Sequence, residues 1–147
     1  MKNFFNTFVL AAFALAVSGV ARAEDDFAGK WKSQFDSQIG QQKYTFEFKV
    51  EGTNVTGKAI GERSMGTNTI EIVEGKINQD EISFVEPLKL QDNEIRIEYK
   101  GKIAGDEIKF HRKVADLAEY DIVAKRVKSD DAKSESQVDT NSPPAKP

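Results

Sequence analysis

Cysteine is absent from the 147 residues. That excludes a disulfide framework, a thiol nucleophile, a thiolate metal site and a lipidated cysteine anchor. Histidine occurs once, at His111, with no nucleophile at a telling spacing; it reads as a solvated surface residue rather than a catalytic base. No run of basic residues is present, and the net charge is −3. Nucleic acid and anionic lipid are therefore poor partners. No glycine-rich phosphate loop, calcium-loop acid run or metal-ligand spacing occurs, so no cofactor or metal is expected. Beyond residue 23 no apolar stretch is long enough to span a membrane.

The first 23 residues have the layout of a secretory signal peptide. Lys2 supplies the positive start, Phe8 to Val17 the apolar run, and Ala21-Arg22-Ala23 the small-x-small cleavage site. Removing this segment takes Lys2 and Arg22 and no acid, so 19 of the 21 basic residues face 24 acids, a net charge of −5. An exported protein, periplasmic or extracellular, is expected. At the other end, residues 129–147 read SDDAKSESQVDTNSPPAKP, without an aromatic. Such a tail buries too little apolar surface to offset its ordering entropy, so disorder is expected there. A single domain over residues 24–128 remains.

A phrase that occurs twice organises this domain. Gly75-Lys76-Ile77-Asn78-Gln79-Asp80-Glu81-Ile82-Ser83-Phe84 returns 26 residues later as Gly101-Lys102-Ile103-Ala104-Gly105-Asp106-Glu107-Ile108-Lys109-Phe110. Period-two alternation on either side of a polar turn is the pattern of a β-hairpin. Alternation recurs along the chain, most clearly at Tyr44, Phe46, Phe48 and Val50 inward against Thr45, Glu47 and Lys49 outward. Near Ile72 the phase slips, which predicts a β-bulge. Eight antiparallel strands and no helix of useful length result. An all-β, eight-stranded antiparallel up-and-down meander barrel is predicted, with a two-sheet β-sandwich as the alternative. Gly57, Gly75 and Gly101 fall on inward positions, where a missing side chain relieves crowding as the sheet coils. The connections after the second, fourth and sixth strands are short. Those at Asp36 to Gln42, Glu62 to Asn68, Glu86 to Asn93 and Ala115 to Glu119 are expected to be longer loops gathered at one end.

Gly29-Lys30-Trp31 on the first strand and Arg126 on the last resemble the calycin group of barrels: lipocalins, fatty-acid-binding proteins and avidins. The resemblance implies a Trp31 indole under the Arg126 guanidinium, plugging the closed end, an interaction worth roughly 1 kcal/mol. The lipocalin Thr-Asp-Tyr turn is replaced here by Ala104-Gly105-Asp106, and the helix that follows a lipocalin barrel is missing. The chain is also similar to short exported bacterial barrels of unassigned function.

Phe35, Tyr44, Phe46, Phe84, Ile97, Phe110, Arg112 and Tyr120 are the candidate ligand-binding residues, on the inner wall nearer the longer loops. Apolar walls with a few polar groups describe a pocket for a small apolar or amphipathic molecule; the same aromatics can instead fill a solid core. In that case the protein is an interaction module whose longer loops contact a protein or polysaccharide. Catalysis is not expected. It would need two of the loop acids Glu62, Glu86, Asp92 and Asp116 to converge at the mouth.

Overall fold

The computed structural model describes residues 25–63 and 66–128; the predicted signal peptide and the predicted tail lie outside them. After a 3-10 turn at Asp25–Phe27 come nine strand segments: β1 (Gly29–Ser37), β2 (Gly40–Glu51), β3 (Asn54–Arg63), β4 (Gly66–Glu71), β5 (Val73–Asn78), β6 (Glu81–Leu90), β7 (Asn93–Ala104), β8 (Glu107–Val114) and β9 (Ala118–Arg126). β4 and β5 are two parts of one interrupted strand, so the barrel has eight. Each strand pairs antiparallel with its neighbour in sequence, and β1 pairs with β9 to close the ring. The sandwich alternative is excluded by that closure.

The interruption is the bulge expected near Ile72, and it falls at Val73 and Glu74. Ile72 points inward, Val73 and Glu74 both point outward, and Gly75 and Ile77 point inward again. Pairing between β5 and β6 shifts between Val73 and Lys76, and Glu74 has φ of 56°. One extra residue thus lets a slipped alternation keep its apolar side chains inside.

The repeated phrase builds the same hairpin twice. Gln79 and Gly105 occupy equivalent places in the two copies, and both take the left-handed conformation, with φ of 57° and 61°. The following acids also act alike: the Asp80 carbonyl accepts from the Ile103 N–H at 2.9 Å, and the Asp106 carbonyl from the Arg126 N–H at 2.8 Å. Two inward glycines are required by packing. A Cβ on Gly57, whose φ is 143°, would meet the Glu47 carbonyl at 1.8 Å, and one on Gly101 would meet the Phe110 ring at 2.4 Å.

The closed end is plugged as the resemblance implies, with one addition. The Arg126 guanidinium lies 4.3 Å from the ring centre of Trp31, which is fully buried. Beneath them the acidic lead folds under the barrel and inserts Phe27, also fully buried. The Trp31 Nε1–H donates to the Phe27 carbonyl at 2.9 Å, and Arg126 donates to the Asp26 carbonyl at 2.6 Å.

The expected asymmetry of loop length is not found. β1 runs on to Ser37, β2 begins at Gly40, β6 extends through Leu90 and β7 begins at Asn93. The presumed loops at Asp36 to Gln42 and Glu86 to Asn93 are therefore strand with two-residue turns. Leu88 and Gln42 continue the inward parity of their strands, so the period-two physics outlasts the polar composition and the proline that suggested loops.

Candidate functional site

Inward residues of the middle and closed half stack into a solid core. Phe46 lies 5.5 to 5.8 Å, centre to centre, from Phe48, Phe84, Tyr99 and Phe110, and Phe84 stacks on Tyr99 at 4.5 Å. Such ring pairs each add roughly 0.5–1.5 kcal/mol beyond their burial. Phe46, Phe84 and Phe110, expected to line a pocket, pack on one another at this level.

Towards the other end the filling changes from apolar to polar. Glu86 and Arg112 are 2% and 3% exposed and point inward from β6 and β8. Between them sits the Tyr99 hydroxyl, which donates to Glu86 Oε2 at 2.8 Å and accepts from Arg112 Nε at 2.8 Å. The Tyr44 hydroxyl stands across the barrel, 3.4 Å from both Glu86 Oε1 and an Arg112 nitrogen, and accepts from Arg63 at 3.2 Å. The Arg112 guanidinium also lies over the rings of Phe35, Tyr44, Tyr99 and Tyr120, at 5.5 to 5.9 Å. Phe35, Tyr44, Ile97, Arg112 and Tyr120, all anticipated from sequence, thus come together in this half.

Burial pushes the Glu86 carboxyl up, against the opposing pull of the Tyr99 hydrogen bond and the two guanidiniums. Tyr99 is held well above its ordinary range by burial and by the Glu86 charge, so it stays a neutral phenol. Two guanidiniums against one carboxylate leave the cluster with a net charge of +1. Two further buried atoms lack a partner among the described residues: Arg63 Nε, a donor, and Gln42 Oε1, an acceptor. Gln42 spends its other end on the Ser37 hydroxyl at 2.7 Å.

Glu86, Arg63, Tyr99 and Gln42 escaped the sequence reading as site residues. Glu86 looked like a loop acid because Pro87 follows it; its parity with Ile82 and Phe84 was the signal that placed it inside. The other loop acids stay exposed: Glu62 points outward, and Asp92 and Asp116 lie in turns. Among the described residues no second carboxylate is hydrogen-bonded to the groups that hold Glu86. His111 is outside the barrel, as expected, its Nδ1 2.9 Å from Asp121.

No protein-family profile and no curated protein matches the chain. A solved structure described as REP1-NXSQ fatty acid transporter is similar to it at 16% identity with a TM-score of 0.43, over 71% of this chain and 98% of that one.

Proposed function

We propose that the protein binds a small amphipathic molecule carrying one negative charge, and does no chemistry on it. The head group meets Arg112, Arg63 and Tyr44, and the apolar body lies against Phe35, Ile97 and Tyr120. The observation that carries this reading is the polar cluster, in which buried Glu86 and Arg112 offset each other and half-buried Arg63 adds a second guanidinium whose buried Nε has no partner among the described residues. A buried donor left without an acceptor costs free energy, and a monoanion would satisfy it and balance the second guanidinium with one charge-assisted contact. Export belongs to the same reading, supported by the sequence of residues 1–23. A protein or polysaccharide partner held by loops is less well supported, because the connections at Gln38–Ile39 and Gln91–Asp92 are only two residues long.

The test compares 11-(dansylamino)undecanoate with its uncharged methyl ester. The carboxylate is expected to bind at least about tenfold tighter, a difference of ~1.4 kcal/mol. Arg112→Met is expected to abolish that preference, and Arg63→Met, at a less buried position, to weaken it without threatening the fold. Equal affinity for acid and ester in the unaltered protein would sink the reading.

A further inference from the structure

The barrel is not hydrogen-bonded to the same height all round. Between β1 and β9 the ladder holds three residue pairs, Trp31–Arg126, Lys32–Lys125 and Ser33–Ala124. It stops where the Ser33 hydroxyl donates to the Val123 carbonyl at 2.8 Å, the acceptor that the Gln34 N–H would otherwise use. Above this point the two strands run on, to Ser37 and from Ala118, with no pairing between them among the described residues. A groove of about 720 Å³ lies along the seam, and it reaches the inward residues Phe35, Tyr44 and Ile122.

A second seam lies opposite. β4 is laddered to β3 alone, and β6 beyond Val85 to β7 alone. The half of the barrel that holds the polar cluster therefore consists of two four-stranded leaves, β1–β4 and β6–β9, joined through the closed half below. Hydrogen bonds within the β6–β9 leaf are short: Tyr99 to Glu86 and Arg112 to Tyr99, both 2.8 Å. Those between the leaves, from Tyr44 to Glu86 and from Arg112 to Tyr44, are both 3.4 Å and correspondingly weak. Contacts across the first seam among the described residues include the Phe35 and Tyr120 rings at 6.0 Å and the Arg112 guanidinium over the Phe35 and Tyr44 rings, both at 5.5 Å. The second seam is tied at its base by the Arg96 guanidinium on the Glu74 carboxylate, one bond of 2.9 Å and another of 2.5 Å.

We infer that the ligand reaches the interior sideways, through the seam between β1 and β9, as the two leaves part about the closed half. Phe35 and Tyr120 form the gate, and the long Tyr44 bonds are the latch that yields. The inference rests on the proposed ligand site. It also explains how a barrel with a packed centre admits a molecule: the walls separate where they are not laddered, and the aromatic core below stays intact.

The absence of cysteine makes the test clean. Gln34→Cys with Val123→Cys places two thiols at exposed positions that line the groove one step beyond the last ladder pair, and Lys32→Cys with Lys125→Cys places two on an existing ladder pair. Closing the seam pair, by a disulfide or a short bis-maleimide, is expected to slow association of 11-(dansylamino)undecanoate by at least about tenfold, with reductant restoring the disulfide-closed protein. The ladder pair is expected to leave the rate unchanged. An unchanged rate in the closed seam variant overturns the inference. Nitroxides on the same cysteines read the seam without ligand: a broad distance distribution at 34/123 beside a narrow one at 32/125 is expected, and equally narrow ones overturn the parting of the leaves. Failure of the unaltered protein to bind the probe would instead count against the ligand site.

Discussion

Glu86 is the residue whose chemistry depends most on its surroundings. Burial raises its carboxyl above the ordinary value of 4.5. Its contribution to stability is then fully present below pH 4.5 and is lost as pH rises through the folded-state value. Glu86→Gln removes that titration and keeps the side chain's size. The unaltered protein is expected to lose stability relative to Glu86→Gln as pH climbs from 4.5 to 8, followed by urea unfolding at each pH. Parallel stability curves would show that the carboxylate is fully compensated by Arg112 and Arg63. Protonating Glu86 also raises the cluster from +1 to +2, so a permanently charged alkyl sulfonate is expected to bind more tightly at the acid end of that range.

At the scale of the element, the break between β4 and β5 decides the most. Glu74 sits at φ of 56°, a conformation that β-branched residues resist. Ordinary strand preference ranks valine far above glycine; here the order should reverse. Glu74→Val is expected to cost about 1–2 kcal/mol, whereas Glu74→Gly, which loses the same exposed contact with Arg96, should stay within about 1 kcal/mol of the unaltered protein. Chemical denaturation distinguishes them, and valine proving the more stable would mean that no bulge stands there. The slipped parity of Ile72 and Gly75 made this bulge legible. Its exact residue was not, because either Ile72 or Val73 satisfies the alternation until β6 fixes the register.

For the whole molecule, stability is concentrated at one end and permissiveness at the other. Phe27, Trp31 and Arg126 close the fully laddered half, and Phe27 touches no solvent. Phe27→Ala is expected to lower unfolding free energy by about 3–5 kcal/mol, read from urea melts. A loss below about 1 kcal/mol would mean that the lead only rests against the barrel. Parity legible in the chain alone placed the inward Phe, Tyr and Ile side chains and the two turns of the repeated phrase, because both are properties of a few adjacent residues; the Trp31–Arg126 contact followed from the calycin resemblance instead. The sequence reading extended to Arg112 and Tyr44 but missed Gln42 and Glu86, whose polar character and neighbouring proline outweighed their parity. How far each ladder climbs, the sharing of Tyr99 by Glu86 and Arg112, and the turn of Phe27 back under the barrel emerge only in the folded chain. Those depend on the register and accumulated twist of strands far apart in the chain, which no local pattern encodes.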